Sequence, residues 1–222
     1  MSPSALPVPE APRRLVLLRH GRTAWNATGR AQGHADVELD DLGHEQAALV
    51  APWLAVAFAP TALWSSDLAR ARQTAAYLEK ETGLDALLDA RLREYDVGER
   101  TGLTIPEFAE RWPDQHAAWR RGRHDVVPGA EGRADVAARI VPACHELVAS
   151  VAPGETAVAV AHGAAVKVAV ADLLGWVAEA DESLRGLDNC GAAVLQEGPP
   201  GAPFRLVAYN AGPGFASPGA VG

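Results

Sequence analysis

Two short, unbroken apolar runs constrain the fold of this chain more than any other feature of its sequence. Residues 14–19 read RLVLLR and residues 157–161 read AVAVA. A strand with one face in water alternates apolar and polar residues, whereas a continuous apolar run of strand length is typical of a strand covered on both faces. The two runs therefore predict a parallel sheet with a layer of helices on each side.

The segments around these runs fit an alternation of strands and helices. Helical patterning is present near residues 43–58, 67–82, 133–151 and 163–174. A short strand is predicted over 61–66, and 104–125 is predicted to be a helical excursion interrupted at Pro113. GAAVLQ and FRLVAY flank a Gly- and Pro-rich turn and predict a closing hairpin. The expected fold is a three-layer α/β/α domain with a mostly parallel central sheet.

Length and composition limit the class of protein. With 222 residues, 48% apolar and 22% charged, the chain fits one globular domain over 14–210, with a disordered leader over 1–13 and a flexible tail over 211–222. The N-terminal segment is rich in proline and has no apolar signal core, and no run reaches membrane-spanning length. We therefore expect a cytoplasmic protein with no membrane partner.

Charge and cysteine content exclude further classes. A net charge of −8 argues against a nucleic-acid partner, because a phosphate backbone is normally bound by a basic surface. Cys144 and Cys190 are too few for a disulfide framework and have no ligand spacing to the histidines, so no metal site is predicted. The oligomeric state is left open, with a homodimer as the candidate assembly.

Polar groups follow three of the predicted strands at the point where each strand ends. They are Arg19-His20-Gly21, then Ser65-Ser66-Asp67 followed within one turn by Arg70, and His162-Gly163. If the strands are parallel, all of these groups meet at one edge of the sheet, where ligands of open α/β sheets bind. Two imidazoles, arginines and the amides of a helix N-terminus suit a tetrahedral dianion. The sequence thus predicts a phosphate site.

Phosphoester chemistry at such a site needs a nucleophile and an acid. Histidine can accept a phosphoryl group and so divide the displacement into two easier steps. The leaving alkoxide needs a proton, and the stretch LREYDVGERTG offers Glu94, Asp96 and Glu99 as donors. The residues alone do not rank these three carboxylates.

The motifs LLRHGRTAWN, SSDLARARQTA, LREYDVGERTG, PGAEG and VAVAHG occur in this order along the chain. In order and context they resemble the histidine phosphatase superfamily, which includes cofactor-dependent phosphoglycerate mutases and many small-molecule phosphatases. The resemblance covers roughly residues 14–195. It implies a metal-independent phosphatase that needs no cofactor and hydrolyses a small phosphorylated metabolite.

The resemblance also implies roles for individual residues. His20 resembles the nucleophile that becomes phosphohistidine, and Glu94 resembles the general acid. Arg19, Arg70 and His162 resemble the rest of the phosphate pocket. Further phosphate or substrate contacts are implied for Thr23, Asn26, Gln32, Gly33 and the backbone amide of Gly163. Helical phase does not separate Arg70 from Arg72, so only the resemblance selects Arg70.

Several departures from the mutase pattern favour hydrolysis over phosphoryl shuttling. Tyr95 follows Glu94 where mutases have an arginine, Ala164 stands where they have asparagine, and the stretch before His162 is too short for their insertion. GERTG and PGAEG depart from the usual phosphatase motifs, which predicts a different specificity. A mutase is the alternative function, and a non-catalytic phospholigand-binding protein ranks last.

One basic segment leaves a second question open. Residues 119–125 read WRRGRHD, with Arg120, Arg121 and Arg123 before a Pro-Gly turn. A charge run of this kind is usually a solvated face. The alternative is that residues 111–125 form a lid that reads the leaving group of the substrate.

Overall fold

The computed structural model describes residues 11–177, 180 and 183–213. The strands are β1 (Arg14–Arg19), β2 (Ala62–Ser65), β3 (Leu87–Leu88), β4 (Thr156–Ala161), β5 (Ala192–Gln196) and β6 (Arg205–Ala211). The helices within these residues are α1 (Ala24–Ala27), α2 (Asp41–Phe58), α3 (Ala69–Thr82), α4 (Ile105–Arg111), α5 (Pro113–Trp119), α6 (Arg133–Ala149) and α7 (Gly163–Leu173).

The six strands form one sheet in the order β3-β2-β4-β1-β5-β6. The pairs β3–β2, β2–β4 and β4–β1 are parallel, whereas β5 pairs antiparallel with both β1 and β6. The antiparallel β5–β6 pair is the hairpin that the sequence predicts. The parallel part places the ends of β1, β2 and β4 along one edge of the sheet.

Each face of the sheet has its own core, as the continuous apolar runs require. Leu15 and Leu17 of β1 point to the face covered by α6 and α7, where they join Ala157 and Ala159 of β4. The intervening residues of β1 and β4 point to the opposite face, which α2 and α3 cover. Because side chains alternate along a strand, an apolar run without interruption supplies both cores. The three-layer α/β/α architecture is confirmed.

Local chemistry explains several helix boundaries. The side chain of Asp40 accepts a hydrogen bond from the Gly43 amide at 2.8 Å and caps the start of α2. Gly83 ends α3 with φ of 72°, a left-handed conformation that glycine adopts without strain. Pro113 separates α4 from α5 and occupies the first turn of α5, where its missing N–H costs nothing.

The structure adds two short elements that have no sequence signal, the four-residue α1 and the two-residue edge strand β3. Arg13, which the sequence places in the leader, donates from Nε to the Val151 carbonyl and pairs with Glu197 at 3.1 Å. Residues 1–10 of the predicted leader and 214–222 of the predicted tail lie outside the described residues. None of the described helices combines the length and apolar character needed to cross a bilayer.

Candidate active site

The register of the parallel strands brings two imidazoles into contact. Arg19, the last residue of β1, lies opposite Ala161, the last residue of β4, so His20 and His162 leave the sheet side by side. Their ring centroids are 5.1 Å apart, and the residues are only 3% and 0% exposed. Two groups that are 142 positions apart in sequence are therefore neighbours at the carboxyl edge of the sheet.

His20 is held in one tautomer. Its Nδ1 lies 2.7 Å from the carbonyl oxygen of Gly21 and donates its proton there, because a carbonyl can only accept. The lone pair of Nε2 is then available to a ligand in the cavity that His20 lines. Burial, together with the positive charges of Arg70 and Arg19, holds the pKa of His20 well below its ordinary value. The ring is neutral and suited to nucleophilic attack.

His162 is held in the opposite tautomer. Arg70 donates from Nε to Nδ1 of His162 at 3.2 Å, so the ring proton is on Nε2, which donates to Ser66 Oγ at 2.8 Å. Burial and the neighbouring Arg70 charge lower the pKa of His162 well below its ordinary value. His162 packs behind His20 and is not among the described residues that line the cavity.

Arg70 has all three guanidinium nitrogens engaged. Besides its bond to His162, it donates to the carbonyls of Ala35 and Gly33, both at 2.8 Å. The residue is 1% exposed, and burial lowers the pKa of Arg70 to about 10. Arg72, which helical phase could not distinguish from it, is half exposed and faces Asp36 instead. Arg70 is thus the arginine of α3 that lines the cavity.

Arg19 carries a guanidinium edge that is left unused. One of its terminal nitrogens donates to the Leu187 carbonyl, whereas Nε is buried and has no hydrogen-bond partner among the described residues. A side chain at Gly163 would place its Cβ 3.3 Å from that Nε, so the glycine is what allows this close approach. A buried, unpartnered N–H of a cation at the cavity wall is a ready donor to an anion.

The carboxylate of Glu94 caps the N-terminus of α7 from a distant loop. Its oxygens accept hydrogen bonds from the amides of Tyr95 at 3.0 Å, Ala164 at 3.0 Å and Ala165 at 2.9 Å. Negative charge is favoured at this position because free amides and the positive end of the helix dipole converge there. Since α7 begins directly after His162, the cap fixes Glu94 beside the two histidines.

A second layer of side chains holds the backbone of Glu94. Arg139 of α6 donates to the Glu94 carbonyl at 2.8 Å and to the carbonyls of Arg91 and Arg93, and it pairs with Glu131 at 2.8 Å. His34 also donates to the Glu94 carbonyl, through Nε2 at 2.8 Å. The loop that carries the candidate acid is therefore tied to α6 and to the segment after α1.

These groups surround a cavity of about 250 Å³. Its wall combines cationic, anionic, amide, aromatic and small apolar residues, namely Arg19, His20, Asn26, Arg30, Gln32, Gly33, Arg70, Glu94, Tyr95, Asp96, Val97, Arg100, Trp119, His124, Val127, Ala130, Glu131 and Ala164. Within the described part of the chain, no group of three or more His, Cys, Asp or Glu side chains could hold a metal ion. The arginines supply the positive charge of this cavity.

The structure brings seven of the ten site residues selected from the sequence to the cavity wall. They are Arg19, His20, Asn26, Gln32, Gly33, Arg70 and Glu94. Thr23 lies behind the wall, fully buried, and donates from Oγ1 to Gln32 at 3.0 Å. His162 and Gly163 also lie behind it, where they contact His20 and Arg19. Of the other candidate acids, Asp96 lines the cavity and Glu99 is exposed.

Several functional candidates have no signal in the sequence. Asn189 donates to the backbone carbonyl of His20 at 3.1 Å and to Asn26 at 3.3 Å, and it precedes β5 without any motif. Arg100 and Arg30 reach the cavity from loops. Of the segment considered as a lid, Trp119 and His124 line the cavity, whereas Arg120, Arg121 and Arg123 are exposed, as expected for a solvated face.

Comparison with known proteins decides the family. The family model of the histidine phosphatase superfamily (branch 1) matches residues 15–211. The chain belongs to the histidine phosphatase superfamily. The match spans all of the sheet except its first residue, Arg14, and every residue of the candidate active site.

Individual histidine phosphatases are similar over most of the chain. A glucosyl-3-phosphoglycerate phosphatase from Mycolicibacterium vanbaalenii is 38% identical, covering 90% of this chain and 95% of that protein. A metal-independent phosphoserine phosphatase from Arabidopsis thaliana is 34% identical, covering 69% and 65% of the two chains. The solved structure of a mycobacterial glucosyl-3-phosphoglycerate phosphatase in complex with VO3 has a TM-score of 0.83 and 38% identity, covering 90% of this chain and 99% of that one.

Proposed function

We propose that this histidine phosphatase hydrolyses a small phosphomonoester by transferring its phosphoryl group to Nε2 of His20. The protein is a phosphoric monoester hydrolase, as are the relatives named above. The observation that carries the proposed intermediate is the tautomer of His20: Nδ1 donates to Gly21, so Nε2 offers a lone pair to the cavity. Lowering of the His20 pKa keeps that lone pair free of a proton at neutral pH.

The first half of the reaction forms a bond from His20 Nε2 to phosphorus and breaks the bond from phosphorus to the ester oxygen. The guanidinium groups of Arg19 and Arg70 stabilise charge on the three non-bridging oxygens, which is the principal task in phosphoryl transfer. Glu94 takes up a proton as the anionic phosphomonoester binds beside it and passes that proton to the leaving oxygen, and the alcohol departs.

The second half returns the enzyme to its starting state. Glu94, now a carboxylate, accepts a proton from water as that water attacks phosphorus. The bond from phosphorus to Nε2 breaks and inorganic phosphate leaves with its oxygens still facing the arginines. No bisphosphorylated cofactor is required, because water and not a second alcohol accepts the phosphoryl group.

For the substrate, we infer a phosphorylated small molecule that resembles those named for the relatives. Glucosyl-3-phosphoglycerate is the first compound to test, since the phosphatases named for it cover most of the chain at 38% identity. Phosphoserine is the second. A hydroxyl-rich or polar leaving group suits the cavity wall, which includes the side-chain amides of Asn26 and Gln32 and the ring of Trp119.

Rapid quenching of the reaction with a phosphate-labelled substrate tests the proposal. We expect an acid-labile, base-stable phosphoryl group on wild-type protein and none on His20→Ala, whose hydrolysis should fall by several decades. His44→Ala, which removes a histidine that contacts Tyr77 and not the cavity, should keep both label and activity. Retention of activity by His20→Ala would refute the nucleophile. Conversion of 3- to 2-phosphoglycerate faster than phosphate release would identify a mutase instead.

A cytoplasmic location and a homodimer are further parts of this proposal. Cys144 and Cys190 are buried free thiols, which suits a reducing compartment. Cell fractionation tests the location. Light scattering of the purified protein measures its mass and tests the assembly.

A further inference from the structure

Arg100 is a cavity arginine that is held by aromatic rings and not by an anion. Its guanidinium carbon lies 4.6 Å from the ring centre of Trp119 and 5.6 Å from that of Phe108. In the part of the chain that the structure describes, this guanidinium makes no hydrogen bond or ion pair. The ring faces fix the orientation of the planar group but leave its N–H edge unused.

The other arginines of the cavity are either assigned to the transferred phosphate, as Arg19 and Arg70 are, or paired within the protein, as Arg30 is. Arg70 donates from all of its nitrogens to His162 and to two carbonyls. Arg30 pairs with Glu107 at 2.9 Å and donates to the Gly102 carbonyl at 2.6 Å. Arg19 lies against Gly163, the residue after His162, where the transferred phosphate is proposed to bind. Arg100 is therefore free to bind a group of the substrate other than the transferred phosphate.

The environment of Arg100 favours an anion as that group. Burial lowers the pKa of Arg100, and Glu94 is the charged residue that opposes this effect. A partly desolvated cation that forms no direct ion pair is unfavourable, so an anion that reaches it gains more than it would at a hydrated surface. The guanidinium edge can donate two parallel hydrogen bonds, which match a planar carboxylate.

We propose that Arg100 binds a carboxylate of the substrate and makes this enzyme selective for phosphomonoesters of carboxylic acids. The inference rests on the proposed phosphatase activity and adds the chemical class of the leaving group. A carboxylate fits better than a second phosphate, because Asp96, Glu131 and Glu94 also line this small cavity and would repel a second dianion.

Two pairs of substrates that differ only at the carboxylate test the inference. Phosphoserine is compared with phosphoethanolamine, and 3-phosphoglycerate with glycerol 3-phosphate. We expect wild-type kcat/KM to favour the acid of each pair. In Arg100→Gln, kcat/KM for the acids should fall about ten- to one-hundredfold, as for a lost charge-assisted pair, with little change for the partners. Arg100→Lys should lie between the two, because it keeps the charge but loses the fork.

Arg111→Gln is the matched control. Arg111 also stacks on a tryptophan, at 4.4 Å from the ring centre of Trp112, but it does not line the cavity. Arg111→Gln should leave the preference of the enzyme for the acid of each pair unchanged. Equal effects of Arg100→Gln on acids and partners, or no effect, would overturn the carboxylate site while the phosphatase stands. If wild-type protein hydrolyses none of these four esters, and neither glucosyl-3-phosphoglycerate nor nitrophenyl phosphate, the proposed function itself is overturned.

Discussion

Arg70 donates from Nε to Nδ1 of His162 across 3.2 Å, and this bond fixes the proton of an imidazole that packs against the proposed nucleophile. The guanidinium has no acceptor atom, so Nδ1 of His162 must present a lone pair to it. The ring proton is then on Nε2, where Ser66 accepts it. One buried arginine thus keeps the histidine behind His20 neutral and correctly oriented.

The first prediction concerns the protons of the two rings. In native protein at pH 7.5 we expect His20 to be the Nδ1–H tautomer and His162 the Nε2–H tautomer, because Gly21 and Ser66 accept those protons. Long-range ¹H–¹⁵N correlation spectra distinguish the two forms, and His20→Asn and His162→Asn assign the signals. The same tautomer in both rings, or a charged ring, would contradict the hydrogen-bond assignment.

The second prediction separates the general acid from its neighbours. Glu94→Gln should slow hydrolysis of esters with poor leaving groups, such as sugar alkoxides, about 100-fold or more, because these leave only with a proton. Nitrophenyl phosphate should be slowed far less, since nitrophenolate is stable as an anion. Asp96→Asn, which also changes a carboxylate of the cavity wall, serves as the comparison. Equal slowing of both esters by Glu94→Gln would point to another acid.

The sequence predicts the centre of this site because the centre follows from strand ends. The runs before His20 and His162 are apolar on both faces, so they must be internal parallel strands, and their next residues must meet. The choice among Glu94, Asp96 and Glu99 could not be made in the same way. It depends on two long-range hydrogen bonds that the Glu94 carboxylate accepts from the first amides of α7, 70 and 71 positions away.

The periphery of the site was beyond the reach of sequence patterns for the same reason. Arg100 gains its orientation from Trp119 and Phe108, which lie on α5 and α4, and nothing in its own loop signals that contact. Asn189 reaches His20 over 169 positions. β3 has only two residues, which are too few to show a periodic pattern in the sequence. The helices and strands with a clear local pattern were predicted from the sequence. The side chains at the periphery of the site were not, because only tertiary contacts bring them there.

The third prediction concerns the space left for Arg19. In Gly163→Ala the new Cβ would lie 3.3 Å from Arg19 Nε, so the guanidinium must shift by a few tenths of an ångström. We expect kcat/KM to fall about tenfold, since transition-state charge is stabilised by exact donor placement. Stability should hold or rise by up to about 1 kcal/mol, because alanine favours a helix over glycine.

Gly186→Ala is the control for this substitution. Its Cβ would meet no atom within 4 Å, so activity should be unchanged. Thermal unfolding and steady-state kinetics of both variants give the two readouts. A Gly163→Ala enzyme with full activity would show that Arg19 does not need its present position.

The fourth prediction is a loss of stability below the ordinary histidine pKa of 6.5. Burial holds the pKa of both His20 and His162 below that value in the folded protein, so at mildly acidic pH the unfolded chain binds more protons than the folded one. Stability must then fall as pH falls. Between pH 7.5 and 5.5 each imidazole should cost on the order of 1 kcal/mol of the free energy of unfolding, and the carboxylates contribute little in this range. Urea unfolding in phosphate-free buffer measures the loss, since bound phosphate would stabilise the folded state. His20→Asn should lose about 1 kcal/mol less than wild type over this interval, and an unchanged loss would mean that His20 is protonated as readily in the folded protein as in the unfolded chain.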